Sequence, residues 1–512
     1  MSTLPKGVSN FNTPDPWENA HQNFKHHFKP GASYDLAIDS VQTRLEDYNA
    51  TTASLQWIIG NAITTGTPIR AMGNNWSFSE VAMSEGGMIN TKRLNLIFPL
   101  GKSSLVPQYL ATGKSEADVR LVQCGTSISY LNDMLEIRTN PLRCIRASGG
   151  SNGQTVAGAT STGTHGGALF TGAVHDAVVG LHLITGADKH IWLERASYPV
   201  VSDEFLNALG ATPVRDDEMF NAAIVSFGSF GIIHGLLFET DPLFLLKEFR
   251  FDNVAYTKEL TDAIQALDIN KLRTLLPGMP AESPDMQLYH LEININPFNF
   301  GKDDPAKGIY VRTFCKVPCP AAYVPNHDPL PSTTPYGEDL NGIISTLLDK
   351  LGAKVDKLLV GPLVNGLFKT VLRAATVDPK TIGEIFRVSR FRGQIASAAF
   401  AVDVKDIAAV IDTILATNAA KPFAGGIALR FVKGTPATIA FTRFAKTCVI
   451  EMDGVDASVT RDFFETVWTR LEQKGIDYTL HWGKLNFILN EQRVLKMYGA
   501  DKVNSWKKCR EA

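Results

Sequence analysis

From residue 148 to 167 the chain reads Ser-Gly-Gly-Ser-Asn-Gly-Gln-Thr-Val-Ala-Gly-Ala-Thr-Ser-Thr-Gly-Thr-His-Gly-Gly. Seven of these twenty residues are glycine and most of the others are small or hydroxylated, so the backbone can approach a ligand closely and offer it N–H groups and hydroxyls. Such a cradle suits a polyphosphate. No Lys follows in a Gly-Lys-Ser/Thr order and no Gly-x-Gly-x-x-Gly opens a helix, which excludes the nucleoside-triphosphatase loop and the Rossmann fingerprint. A turn-rich connection between strands uses the same residues. The segments that accompany this one decide for the cradle.

The chain has 512 residues, 44% hydrophobic and 20% charged, with a formal charge of -2. That length accommodates two or three domains, and the charge argues against nucleic acid or an anionic membrane as the main partner. A small molecule is the expected partner. The first seventeen residues lack the apolar stretch of a signal peptide and no later run is long enough to span a bilayer, so the expected location is the cytoplasm. The six cysteines are scattered, which argues against a disulfide framework, and Cys315 and Cys319 have no second pair at zinc spacing. His21, His26, His27, His175, His182 and His190 are read as non-ligands, so no metal site is expected.

Organisation changes near residue 240. Before it, short β-rich runs at residues 68–72, 87–90, 118–123, 177–185 and 224–226 alternate with helical patterns at 53–64 and 127–135. Gly228 and Gly231 then precede a strand that closes this half. After it, residues 287–296 and 308–316 read as long antiparallel strands with one polar face. Residues 341–375 carry apolar residues at helical spacing, with Leu358, Leu359, Leu363 and Leu367 as a core-facing stripe, and Gly361-Pro362 is expected to split the run into two short helices.

Three segments together resemble the vanillyl-alcohol oxidase superfamily of FAD-dependent enzymes, in its sugar-alcohol and aldonolactone oxidase branch. Arg70-Ala-Met-Gly73-Asn74-Asn75-Trp76-Ser77 is similar to that family's Arg-x-x-Gly-x-Gly-His-Ser loop. Gln154 to Gly158 and Ser161-Thr162-Gly163-Thr164-His165-Gly166 resemble its pyrophosphate and flavin loop, and His481-Trp482-Gly483-Lys484 resembles its carboxy-terminal signature near the flavin ring. The resemblance is strong over roughly residues 40–240 and weak over 380–490.

The resemblance implies an α+β fold: an FAD-binding domain of the PCMH type, with two α+β subdomains, over residues 1–240; a substrate domain with a large antiparallel sheet covered by helices over 241–480, carrying a helical insertion near 340–375; and a segment 481–512 that returns to the FAD domain. It implies FAD contacts from Arg70, Gly73, Asn74, Asn75, Trp76 and Ser77, and from Ser148, Gly149, Gly150, Ser151, Gln154, Thr155, Gly158, Ser161, Thr162, Gly163, Thr164 and His165. Ile232 would meet the adenine through its backbone, and His481 would contact the flavin. The implied reaction oxidises a CH–OH group of a small-molecule alcohol by hydride transfer to flavin N5, with oxygen or another acceptor reoxidising the flavin. Lys484, His481 and Arg430 are its implied catalytic residues.

Two departures stand out. The position of the family's flavin-tethering His is Trp76, whose indole has no nucleophilic ring nitrogen, and the Cys that some relatives use as a second tether is absent because Asn152 and Gly153 stand there. FAD is therefore expected to be non-covalent, with Trp76 near the flavin's dimethylbenzene edge. The family's acid-x-Arg strand pattern keeps Arg430 but has Ala428 in place of the acid, which argues against simple polyols and aldonolactones as substrates. Two other functions stay open at this point: an FAD-fold protein that binds a ligand without turnover, and a nicotinamide-dependent flavin reductase.

Overall fold

The computed structural model describes residues 4–38, 43–328, 343–344, 346–347, 357–387 and 394–512. The leading part of the chain forms a four-stranded and a six-stranded sheet. The first runs Val8–Asn10, Tyr34–Ala37, Gly87–Arg93, Ile69–Met72 in spatial order, and its last three strands are mutually parallel. The second runs Thr212–Arg215, His190–Glu194, Val178–Ile184, Ile232–Glu239, Val119–Gln123, Ile97–Pro99, antiparallel except for its first pair. Helix Arg44–Thr65 packs between them. Thr43 caps it reciprocally with Glu46, and Gly66 ends it at a φ of 59°.

The remainder builds around one eight-stranded antiparallel sheet. Its order is Ala375–Lys380, Phe244–Val254, Ile309–Pro318, Gln287–Ile295, Gly425–Lys433, Lys446–Val455, Ile395–Asp403, Tyr478–Leu480. Strand alternation divides its residues sharply. On Lys446–Val455, Cys448, Ile450 and Met452 join the large core shared with helices Ile407–Ala420 and Ser458–Gln473, whereas Val449, Glu451 and Asp453 take the other face. Phe423 stacks on Phe463 with ring centroids 4.1 Å apart and planes 12° from parallel, beneath that sheet.

Two local expectations are corrected. Residues 224–226 are not a strand: Ile224 has helical dihedrals (φ -64°, ψ -38°) and prolongs Asp217–Ala223, because so short a run, with only Ile224 and Val225 apolar, fits a helix end as well as a strand. Nor does Gly361-Pro362 divide its helix. Lys357–Val371 runs through Pro362, and burial of Val364, Leu367 and Phe368 offsets the hydrogen bond lost to proline. Leu358 and Leu359 lie among side chains outside the described ones, as does most of residues 341–356.

Phe423 is fully buried at the contact between sheet and helix. Phe423→Ala is expected to lower stability by about 3–5 kcal/mol, read by chemical denaturation; a loss under about 1 kcal/mol would show that this core re-collapses around the gap.

Candidate functional site

The three motif segments meet at one cavity of about 680 Å³, within the ~300–1,000 Å³ span of small-molecule and cofactor sites. One wall is the turn after strand Ile69–Met72. There Asn75 has a φ of 62°, a left-handed conformation that Asn tolerates better than other non-glycine residues, at the position where the resembled motif has its second glycine. Asn74 Nδ2 donates to Gly153 O at 2.6 Å, and the Arg70 guanidinium donates to Phe227 O. These bonds tie the turn to the glycine-rich segment and to the loop before Ile232–Glu239.

The second wall is that glycine-rich segment. Thr155 caps the short helix Val156–Thr162, and Gly163 closes it at a φ of 76°. Most residues expected to hold FAD line the cavity, Ile232 among them, but Ser148 and Gly163 do not. Ser148 instead bonds its hydroxyl to Asn152 Oδ1 in the buried base of the loop. Trp76 lines the cavity too, lying flat enough on Gly153 that a Cβ there would overlap its Cζ2, Cε2 and Cη2 atoms.

The floor comes from the cavity-facing side of the eight-stranded sheet. Arg430 Nε meets Glu292 Oε2 at 2.8 Å and its Nη1 meets Glu451 Oε2 at 2.8 Å, and all three side chains are nearly sealed from solvent. The carboxylate missing at Ala428 is thus present one strand away, because Glu451 is the cross-strand partner of Ala428. Burial is the largest influence and would raise both carboxyls, but Arg430 and the other groups around them together outweigh it. With His290 helping at Glu292, and with Lys484 and His165 helping at Glu451, each is held below the usual range.

The last wall is His481-Trp482-Gly483-Lys484. Phe78 N–H donates to Gly483 O at 2.8 Å and Ser79 Oγ to Trp482 O at 2.6 Å, locking this tetrapeptide against the first turn. His481 Nδ1 accepts from Gly483 N–H at 2.9 Å, and burial, reinforced by His165 and Lys484, holds the ring neutral, which leaves its proton on Nε2. His165 is likewise depressed by burial, to about 4. The Lys484 ammonium lies 4.8 Å from the centre of the Phe78 ring.

Three residues of this site escaped the sequence reading. Glu292 and Glu451 sit on strands without a motif, and only cross-strand register brings them to Arg430. His21, from the amino-terminal segment, lines the cavity and stacks on Phe78 with centroids 3.7 Å apart; burial and then Lys484 lower it to about 3.

Among buried polar atoms, Asn75 Oδ1, Ser151 Oγ and Gln154 Oε1 have no hydrogen-bond partner in the protein. All three residues line the cavity, and a buried polar group without a partner is destabilising. Their placement on the first turn and on the glycine-rich wall of one cavity fits a ligand with many polar atoms, as a dinucleotide has. Among the described residues no helix is long and apolar enough to cross a membrane.

No family model matches the chain. It is similar to a D-arabinono-1,4-lactone oxidase of Debaryomyces hansenii (27% identity over 198 residues, 38% of this chain and 32% of that protein). A similar match is an L-gulono-1,4-lactone dehydrogenase of Mycobacterium tuberculosis (27% over 194 residues, 38% of this chain and 37% of that protein). The matched region spans about a third of the length of these relatives. In fold, the chain resembles a solvent-stable cholesterol oxidase (TM-score 0.64, 12% identity, 99% of each chain covered). It also resembles 6-hydroxy-D-nicotine oxidase from Arthrobacter nicotinovorans (TM-score 0.54, 11% identity, 100% and 96% covered). The α+β fold and the resemblance to the vanillyl-alcohol oxidase superfamily are borne out by these matches.

The packing of Trp76 on Gly153 yields a double-mutant test. Gly153→Ala is expected to cost about 1–3 kcal/mol of stability in the native background. In a Trp76→Ala background the same change should cost less than about 0.5 kcal/mol, read by thermal unfolding of the four proteins; equal costs would mean that the two residues do not touch.

Proposed function

We propose that this chain, which has the fold of the vanillyl-alcohol oxidase superfamily, is an FAD-dependent oxidoreductase that oxidises a CH–OH group of a sugar, polyol, lactone or other small alcohol. The observation that carries this reading is the convergence of Lys484, Arg430 and Glu451 with the glycine-rich wall on one cavity. Bound FAD supplies the hydride acceptor, and oxygen or another acceptor takes the electrons on.

The protein's own part is to bind, orient and handle a proton. The backbone and hydroxyls of residues 149–165 would hold the pyrophosphate, and Asn75, Ser151 and Gln154 would satisfy their unpartnered oxygens on the cofactor. Lys484 reaches the substrate oxygen and stabilises negative charge as the O–H proton departs. Arg430 provides a fixed positive charge at the ring, held in place by Glu292 and Glu451. The Glu451 carboxylate also supplies the acid that Ala428 lacks, so the sequence argument against polyols and aldonolactones loses its force.

The cofactor is held without a covalent bond. Trp76 occupies the tethering position and offers no nucleophile, and its ring covers Gly153, where a second tether would have to start. Acid or detergent denaturation is expected to release all FAD to the supernatant; a protein band that keeps flavin fluorescence on a denaturing gel would overturn this.

Lys484→Met is expected to lower kcat about 10²–10³-fold. The readout is bleaching of the flavin and peroxide formation with a panel of alditols, L-gulono-1,4-lactone, D-arabinono-1,4-lactone and a sterol. Wild-type protein that bleaches with no member of the panel would favour ligand binding without turnover, and bleaching by NADPH alone would favour a reductase.

A further inference from the structure

Behind Lys484 the sheet carries a second polar layer that the cavity does not touch. Lys484 Nζ donates to Ser397 Oγ at 2.6 Å, and Ser397 Oγ donates to Asp453 Oδ1. Ser397 and Asp453 are directly opposed on strands Ile395–Asp403 and Lys446–Val455, so the sheet register itself fixes their contact. Lys484 lines the cavity, whereas Asp453 lies beneath it with 1% exposure. Asp453 Oδ2 has no partner. An ion pair built for stability would set the ammonium directly against the carboxylate and use both oxygens. Here a hydroxyl, which accepts and donates at once, stands between them.

We propose that Asp453 is the inner end of a proton relay, Lys484 to Ser397 to Asp453, that carries the substrate's hydroxyl proton out of the cavity. The proposal rests on the alcohol-oxidising reading above. As the carbinol hydride passes to the flavin, the substrate O–H bond breaks and its electron pair becomes the second bond of the product carbonyl. The Ser397 hydroxyl proton moves to Asp453 Oδ1 as Lys484 gives one of its protons to Ser397 Oγ, which leaves a neutral amine, and the released substrate proton forms an N–H bond on that amine's lone pair. Lys484 ends as it began, a cation, and Ser397 as a hydroxyl. Across the whole step only Asp453 changes charge, and Lys484 is a cation before and after it.

Asp453 is suited to that end. Burial raises its carboxyl to about 6, with Glu451 of its own strand adding to the rise. Lys484, the Ser397 hydroxyl and Arg430 of strand Gly425–Lys433 pull it the other way. The relay accepts a proton only while Asp453 is ionised, so turnover should rise with pH through about 6 and level off above. Asp453 touches neither cavity nor substrate and is a positioning residue for charge rather than a catalytic one.

The test uses the FAD-loaded full chain as wild type, Asp453→Asn, Ser397→Ala and Ser397→Thr. Infrared titration follows the carbonyl band of a protonated buried carboxylic acid, which should disappear near pH 6 in wild type and be missing from Asp453→Asn. In oxidation of L-gulono-1,4-lactone, or of whichever panel member wild type turns over, Asp453→Asn and Ser397→Ala should each lower kcat about 10²-fold with KM little changed. Both should also lose the inflection near pH 6, and Ser397→Thr should restore it. An inflection that survives in Asp453→Asn, or an infrared transition absent from wild type, overturns the relay. Absence of turnover by wild type with the infrared transition intact overturns the oxidation reading instead.

Discussion

A single guanidinium organises the floor of the cavity. Arg430 is buried between Glu292 and Glu451 on the strands either side of its own, with the Gly150 backbone immediately over it. A Cβ at Gly150 would lie 3.2 Å from Arg430 Nη1. A buried charge is tolerable only when its partners and hydrogen bonds are in place, so three strands must hold one register for the site to exist. Slipping any of them by one residue would send its charged side chain into the apolar core on the opposite face. The specificity of that large sheet is therefore set as much by the charges on its cavity side as by the hydrophobic residues behind it.

The arrangement also separates two kinds of charge. Glu292 and Glu451 are kept ionised by Arg430 and serve as fixed negative charge, while Asp453, two residues from Glu451 on the same face, is left close to the balance between its two protonation states. Burial acts on all three alike. What distinguishes them is the partner: Glu292 and Glu451 each meet the Arg430 guanidinium at 2.8 Å, whereas Asp453 meets the Ser397 hydroxyl.

The walls of this site were legible in the sequence because each is a contiguous motif. Arg70 to Ser77, Gly149 to His165 and His481 to Lys484 carry their chemistry in local order, and backbone geometry follows from it, as at Asn75. The floor was not legible in that way. Ala428 reads as a lost acid along the chain, yet Glu451 stands across from it, and nothing in the linear order of Lys446–Val455 marks which strand will be its neighbour. His21 was missed for a similar reason: its segment has no motif, and its place on Phe78 is decided by long-range packing. The helix through Pro362 shows the same limit, since a local breaker was outweighed by burial on its far side.

Phe78 and Ser79 bond to carbonyls of Gly483 and Trp482, and the Ser79 bond spans 403 residues. On a ribosome adding about 5–20 residues per second, the first wall of the cavity emerges on the order of 20–80 s before the chain that closes it. Synthesis order therefore delays the pocket: the glycine-rich wall is made long before the tetrapeptide that closes the cavity over it.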